Sequence, residues 1–152
     1  MPFKMEFKAD LYKVCQEVIL LRIETAKHAM NAAQNAANGE EKSSAGDKYE
    51  TGRAMGHRDR DMYARQLLEA NAEWHKLEGI NLTPVPFIKA GSLVEANGMH
   101  YFIAVAIGKI ELNDALVMVI SRESPIAKAM LGKTLNDEFD FNGKNWKINK
   151  IN

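Results

Sequence analysis

Residues 40–54 read EEKSSAGDKYETGRA, and this stretch separates two parts of the chain that have the pattern of long helices. A segment without Gly or Pro precedes it, from about Lys8 to Asn38, and a second helical pattern follows it, from about Asp47 to Leu77. The small and polar residues at 43–46 interrupt the pattern and predict a bend. Two long helices joined by a short bend favour an antiparallel hairpin, because the apolar stripe of each helix then covers the other.

The spacing of apolar residues predicts which faces of the two helices meet. Steps of three and four mark the stripe in each helix, and in the first helix bulky residues give way to alanine toward the bend. We therefore expect a hairpin that is slender near the bend. The predicted contacts place Val14, Val18 and Leu21 opposite Leu67, Trp74 and Leu77, and Ala29, Ala33 and Ala36 opposite Gly52 and Gly56.

Beyond a linker marked by Pro84 and Pro86, the apolar period changes from helical to alternating. The dipeptides Asn97-Gly98 and Asn142-Gly143 each lie between alternating stretches, and both are strong signals of a β-hairpin. The predicted strands are Ser92–Glu95, Met99–Ala106, Ala115–Ser121, Phe139–Phe141 and Asn145–Ile151.

The segment ISRESPIAKAMLGK, residues 120–133, lies between these strands and predicts one short helix. Ser124 is suited to cap the helix, Pro125 to its first position and Gly132 to its end, after about two turns. The sequence therefore predicts an α+β fold with an N-terminal antiparallel helical hairpin (a coiled coil) and a C-terminal antiparallel β domain. The predicted boundaries are 1–80 for the hairpin, 81–90 for the linker and 91–152 for the β domain.

Composition excludes several classes of protein. Lys and Arg total 20 and Asp and Glu total 20, so no charge excess drives nonspecific binding to nucleic acid. We expect this chain to reach nucleic acid only through another protein. No apolar run approaches the roughly 20 residues of a membrane span, charged residues interrupt the N-terminal stretch, and Cys15 has no second cysteine for a disulfide. These features predict a cytoplasmic protein that does not act at a membrane.

The order of these elements, together with residues 120–133, resembles the Gre transcript-cleavage factors of bacterial RNA polymerase. In that family a segment with a Ser-Pro-Ile-Ala start and a Leu/Ile-Gly-Lys end lies in an FKBP-like C-terminal domain; here Ser124–Ala127 and Leu131–Lys133 are similar to the two ends. The resemblance covers nearly the whole chain in architecture and is close in sequence across the last third. It implies an FKBP-like β domain and an accessory regulator of transcription elongation that binds RNA polymerase and is not itself an enzyme.

In that family the helical hairpin enters the secondary channel of the polymerase, where acidic residues at its tip help to hold Mg²⁺ for cleavage of backtracked RNA. The resemblance implies no intrinsic cofactor, but Mg²⁺ shared with the polymerase, since this ion is commonly held by one or two carboxylates plus substrate phosphates. The candidate tip residues are Glu40, Glu41, Asp47 and Glu50, and the candidate metal ligands among them are Asp47 and Glu50. The β domain is expected at the channel rim, and the candidate polymerase contacts are Tyr49, Arg53, Ser124, Pro125, Lys128 and Lys133.

The acidic residues of the tip are out of register with the family pattern. Tyr49 and Arg53 keep the Tyr-x-x-x-Arg spacing of the family, but the acidic positions before the tyrosine fall on Lys42 and Ala45. A factor that stimulates cleavage and an inhibitor that only occupies the channel therefore both stay open.

Ordinary helix chemistry offers another explanation of the acidic residues. Ser44-x-x-Asp47 fits a capping box, and Glu50 and Arg53 are spaced to form an ion pair.

Two further functions also stay open. FKBP-like folds include prolyl isomerases, whose activity needs a concave aromatic pocket, and a folding enzyme or chaperone with a helical arm is one alternative. The other is an adaptor whose hairpin binds a different protein. The aromatic residues available for a pocket are Tyr101, Phe102, Phe139, Phe141 and Trp146.

Overall fold

The computed structural model describes residues 5–41 and 46–152, with side chains described over 6–38 and 54–152. Two long helices are followed by a six-stranded, mostly antiparallel sheet with a short helix, which confirms the predicted α+β class. The chain divides into two compact units, Glu17–Trp74 and the combination of Met1–Gln16 with His75–Asn152. The predicted domain boundaries at residues 80 and 90 stay predictions.

Both predicted long helices are confirmed. The first, α1, covers Met5–Glu41 and the second, α2, covers Gly46–Glu78, so each extends slightly beyond its predicted ends. Residues 42–45, which hold most of the predicted bend, lie outside the described residues. No helix within the described part of the chain combines the length and apolar composition that a membrane span needs.

The buried stripe of α1 differs from the predicted one. Leu21, predicted to pack against α2, is 68% exposed. Steps of three and four along α1 fit more than one stripe of apolar residues. The residues that continue each stripe toward the bend show which stripe is buried. Steps of seven from Leu21 lead to His28 and Asn35, whereas steps of seven from Ile19 lead to alanine. In the unit Glu17–Trp74, the buried residues of α1 are Ile19, Ile23, Ala26, Ala33 and Ala37.

The two helices approach each other closely where Gly56 and Ala37 meet. Gly56 of α2 is buried, and a Cβ atom built on it would lie 2.8 Å from Cβ of Ala37 and 3.0 Å from its Cα. Real Cβ atoms essentially never come that close, so glycine is required here by space rather than by backbone conformation. Small residues thus set the helix separation, as the sequence predicted, although Ala37 and not Ala36 is the buried partner.

The Gly56→Ala variant is expected to lower Tm, even though alanine is favoured over glycine inside a helix by about 1 kcal/mol. The added methyl group forces the helices apart, and overpacking of this kind costs about 1–3 kcal/mol. Thermal unfolding followed by circular dichroism measures the change. Adding Ala37→Gly to Gly56→Ala returns space to the contact and should recover part of the loss; an increase in Tm for Gly56→Ala alone contradicts the close approach.

The sheet has the strand order β3-β4-β2-β1-β6-β5. Both Asn-Gly hairpins are confirmed: Asn97 and Gly98 join β1 to β2, Asn142 and Gly143 join β5 to β6, and all four residues have positive φ, as a type I′ turn requires. The strands are Leu93–Ala96 (β1), Met99–Ala104 (β2), Gly108–Leu112 (β3), Ala115–Ser121 (β4), Glu138–Phe141 (β5) and Lys144–Ile151 (β6).

Strand β3 and the parallel pairing of β2 with β4 were not predicted. The chain leaves β2 through residues 105–107 and enters β3 at the sheet edge, and the β3–β4 hairpin then brings β4 back into the position between β3 and β2. In that position β4 runs parallel to β2, with His100 opposite Val117 and Phe102 opposite Val119. All other neighbouring strands are antiparallel.

The short helix α3, Pro125–Met130, covers one face of the sheet. Its buried residues Ala127 and Met130 belong to the same apolar cluster as Val94, Tyr101 and Ile148 from three different strands. The alternate residues of these strands point to the other face. That face is buried as well, through Leu93, Phe102, Val117 and Val119.

The predicted linker, residues 81–90, is held against the segment that follows α3. Ile88 is buried, its N–H donates to the carbonyl of Lys133 at 2.9 Å, and its carbonyl accepts from the N–H of Gly132 at 2.8 Å. These bonds fix the end of α3 to the strand-like backbone that leads into the sheet.

The first turns of α1 contain a buried cation. Lys8 is only 2% exposed, and burial together with the neighbouring charge of Lys89 lowers the pKa of Lys8 to about 8. In the same unit Leu11, Cys15 and Leu77 are fully buried. Burial raises the pKa of the Cys15 thiol to about 12, so this cysteine is a neutral packing residue.

The Lys8→Met variant is expected to be more stable than the wild type at pH 7, by up to roughly 3 kcal/mol, because each pKa unit corresponds to about 1.36 kcal/mol. Native and unfolded chains both hold the proton at pH 7, so the wild type bears the full penalty of a buried charge. Between pH 8 and the ordinary lysine pKa of 10.5 the native state releases the proton first, so the wild type gains stability and the difference shrinks. Urea unfolding at pH 7 and pH 10 measures this difference in stability.

The control is Lys13→Met, at an exposed position of α1. A Lys8→Met variant that is less stable than the wild type at pH 7 contradicts the burial penalty.

Candidate functional site

The predicted acidic tip falls on helical backbone at either side of residues 42–45. Helix α1 ends at Glu41 and α2 begins at Gly46, so the acidic positions occupy the last turn of one helix and the first turns of the other. Their side-chain contacts stay predictions, and so does the capping box that begins at Ser44. The candidates whose side chains lie outside the described part are Glu40, Glu41, Asp47, Tyr49, Glu50 and Arg53.

The described side chains offer no ready metal site. Within residues 6–38 and 54–152, no group of three or more His, Cys, Asp or Glu side chains is arranged to hold a metal ion. The ligation of Mg²⁺ predicted for Asp47 and Glu50 concerns side chains outside these ranges and stays a prediction.

The turn between β4 and α3 is held by a compact set of hydrogen bonds. The hydroxyl of Ser124 donates to the carbonyl of Ser121 at 2.7 Å and accepts the N–H of Ala127 at 3.3 Å, which is the N-cap bond of α3. The N–H of Glu123 donates to the hydroxyl of Ser121 at 3.1 Å. The predicted roles of Ser124 as cap and Pro125 as first helical residue are therefore confirmed, and the hydroxyl of Ser124 has a structural use.

This turn presents a set of exposed side chains, which we call the β4–α3 surface: Arg122, Glu123, Pro125 and Lys128. The carboxylate of Glu123, the acidic member of this surface, has two partners. The hydroxyl of Ser121 donates to the Glu123 carboxylate, and Nζ of Lys76 lies 3.7 Å from it. The hydrogen bond from Ser121 and, more weakly, the charge of Lys76 lower the pKa of Glu123, so this surface carries charges of both signs at neutral pH.

Lys133 lies at the other end of the predicted segment and is half-buried. Its Nζ lies 5.9 Å from the ring centre of Phe139, a cation–π distance, and its carbonyl accepts the N–H of Ile88. Pro125 and Lys128, by contrast, have exposed side chains that make none of the hydrogen bonds that hold the turn.

The aromatic residues of the β domain mostly contact one another. The ring of Trp146 lies 5.9 Å from those of Tyr101 and Phe139 and 6.1 Å from that of Phe141, and its indole N–H donates to the carbonyl of Phe141. Phe102 is fully buried in the sheet. The aromatic side chains considered for an isomerase pocket are thus engaged in packing.

Sequence reasoning did not single out two members of the β4–α3 surface. Arg122 and Glu123 directly precede the Ser-Pro pair, and the only available signal was their position in the segment that resembles the Gre motif. Their exposure depends on the strand-to-helix turn, which the residue pattern alone does not define.

The fold and these surfaces define a class of chain: a helical hairpin followed by a β domain whose strand-to-helix turn is exposed. No protein-family model matches this chain, and no curated protein matches it. Among solved structures, one described as the transcription factor Gfh1 is 17% identical, covers 89% of this chain and 91% of that chain, and has a TM-score of 0.37. Gfh1 of Thermus thermophilus, described as a GreA factor homologue, is 18% identical over 90% of this chain and 93% of that chain, with a TM-score of 0.33. Gfh1 of Thermus aquaticus is 19% identical over 90% and 92%, with a TM-score of 0.34. At TM-scores this low, the likeness carries no argument about function.

Replacement of Ser124 tests its role as the N-cap of α3. Ser124→Ala removes the N-cap bond and should lower stability by about 1 kcal/mol, whereas Ser124→Asp keeps a good cap and should stay near wild-type stability. Chemical unfolding of the three proteins measures this difference. Equal stability of the Ala variant and the wild type contradicts the capping role.

Proposed function

We propose that this chain is a regulator of transcription elongation that binds RNA polymerase, with its β4–α3 surface at the rim of the secondary channel and its helical hairpin directed into that channel. It acts on the polymerase and catalyses no reaction of its own. Nucleic acid is reached only through the elongation complex.

One observation carries the proposal: the segment that resembles the Gre family contains exposed side chains that take no part in the hydrogen bonds of the turn. Ala127 and Met130 are explained by burial and Ser124 by capping. Pro125 suits the first helical position, but its exposed ring and the exposed side chain of Lys128 make none of the hydrogen bonds that hold the turn. A partner protein that contacts this turn would account for these exposed side chains. The two-helix hairpin earlier in the chain has the architecture that the resemblance implies.

The tip is proposed to act through its carboxylates. Glu40 and Glu41 end α1, and Asp47 and Glu50 begin α2, so all four lie close in sequence to the connection between the helices. Bound in the polymerase, one or two of these carboxylates would supply oxygen ligands to a shared Mg²⁺, which orients the attacking water and stabilises the leaving oxygen. If they do not reach the metal, the same hairpin acts as an inhibitor that occupies the channel.

A stalled, backtracked RNA polymerase complex with labelled RNA and Mg²⁺ tests the function. We expect the wild-type chain to bind this complex and to change its RNA: shortening of the RNA identifies a cleavage stimulator, and slower elongation without shortening identifies an inhibitor. In the first case the Asp47→Ala/Glu50→Ala variant should lose cleavage but keep binding. Asp59→Ala/Glu69→Ala, at exposed positions of α2, is the matched control.

Binding through the β4–α3 surface is tested separately from the tip. Lys128→Glu should weaken binding to the polymerase about tenfold, the effect of losing one charge-assisted contact. Lys147→Glu, at an exposed position of β6, makes the same change of charge and should have no effect. No binding of the wild type to polymerase, or proline isomerisation of a test peptide without polymerase, would overturn the proposal in favour of an adaptor or a folding enzyme.

A further inference from the structure

Strand β3 forms one edge of the sheet, and its side chains alternate between charged and apolar. It reads Gly-Lys-Ile-Glu-Leu and pairs with β4 alone among the strands that the structure describes. Lys109 and Glu111 are exposed on one face of the sheet, whereas Ile110 lies on the other face and is half-buried. Neither charged side chain has an ion-pair or hydrogen-bond partner within the described part of the chain. The two opposite charges of this edge are therefore available to another molecule.

The turn between β3 and β4 determines which backbone groups of β3 face outward. The two residues of the turn both have positive φ, as in a type I′ hairpin, and Leu112 is the last residue of β3 before it. The pair that closes such a turn exchanges both of its hydrogen bonds, and bonded positions alternate along an antiparallel strand. Leu112 and Ile110 therefore bond to β4, and the backbone N–H and C=O groups of Lys109 and Glu111 face away from it.

One pairing of two β3 strands satisfies both the backbone groups and the charges. If two copies run antiparallel with Ile110 opposite Ile110, then Lys109 of each copy lies opposite Glu111 of the other. Both of these pairs consist of outward-facing residues, so each exchanges two backbone hydrogen bonds. A shift by two residues sets Lys109 opposite Lys109 or Glu111 opposite Glu111, and a parallel pairing in register also aligns like charges, which is destabilising. The charges thus specify a single register.

The other edge of the sheet, strand β5, lacks this complementarity. Its hairpin to β6 also has a two-residue turn with positive φ, so the same alternation places the outward-facing backbone at Glu138 and Asp140. Both residues are acidic and exposed, so an antiparallel pairing of two β5 strands through these groups brings like charges together. A pairing of β5 with β3 sets Glu111 against an acidic residue. The charges therefore favour pairing at β3 and oppose it at β5, which limits the assembly to two copies.

We propose that two copies of this chain form a dimer by antiparallel pairing of their β3 strands about Ile110. The interface is isologous, because the same residues contribute from both copies. The two ion pairs lie on one face, and the two Ile110 side chains cover each other on the other face, at a position where opposite side chains come close. Five residues a side bury little area, so the dimer dissociates as readily as a transient complex does. The inference does not rest on the proposed function, since no residue of the tip or of the β4–α3 surface takes part.

Sedimentation equilibrium of the full chain, at concentrations up to about 1 mM, tests the dimer. Lys109→Glu sets glutamate against glutamate and Glu111→Lys sets lysine against lysine, so each variant should raise the dimer Kd at least about tenfold. An equimolar mixture of the two variants restores opposite charges in both pairs and should associate about as tightly as the wild type. Lys147→Glu, at an exposed position of β6, is the control and should leave the Kd unchanged.

Two results overturn the proposal. A wild type that stays monomeric at every concentration shows that the charges of β3 only protect an edge from pairing. A mixture that associates no more tightly than the single variants shows that any self-association uses another surface.

A disulfide across the interface tests its register. Ile110→Cys places the two new cysteines directly opposite each other, about 5 Å apart at Cβ, so mild oxidation of the full chain should give a covalent dimer. Leu112→Cys, on the same face of β3, places them roughly 13 Å apart, which a disulfide does not span. The native Cys15 is buried and does not compete. Equal crosslinking of the two variants, or a covalent dimer from Leu112→Cys alone, contradicts the proposed register.

Discussion

The parallel pairing of β2 with β4 is the interaction on which the rest of the β domain depends. It places β4 between β3 and β2, so that α3 begins shortly after an interior strand and covers the face formed by Val94, Tyr101 and Ile148. The β4–α3 turn thereby follows an interior strand, and the hydroxyl groups of Ser121 and Ser124 hold its backbone by hydrogen bonds. The same pairing sets the turns before β2 and β4 side by side.

The helical hairpin depends on a different constraint, which is the space between the backbones of α1 and α2. Gly56 and Ala37 permit an approach that no larger side chain allows. Three large apolar side chains of this unit are mostly exposed: Leu21 is 68% exposed, Leu68 is 69% exposed and Met55 is 58% exposed. Within this unit α1 thus combines small buried residues near the bend, Ala33 and Ala37, with the buried Ile19 and Ile23 farther from it.

Local signals predicted much of this fold. The two Asn-Gly turns, the capping serine of α3 and the two long helices follow from short-range backbone chemistry, and each is observed. Strand β3 escaped prediction because its turn, Asn113-Asp114, lacks the glycine that marks the other two hairpins.

Features that depend on distant parts of the chain were not predictable. The buried face of α1 was misplaced because several stripes share the same spacing, and only the alanines that continue from Ile19 identify the correct one. The parallel pairing of β2 with β4 depends on strand order, which no spacing along the chain reveals. The four acidic residues of the tip were identified by type and position, and their contacts stay predictions.

The proposed function requires that the β4–α3 surface contacts RNA polymerase. A photoreactive amino acid introduced at position 125, and in a second protein at position 147 on β6, allows the contact to be mapped by crosslinking to purified polymerase. We expect a specific crosslink to a polymerase subunit from position 125 and none from position 147. Equal crosslinking from both positions, or none from position 125, would contradict it.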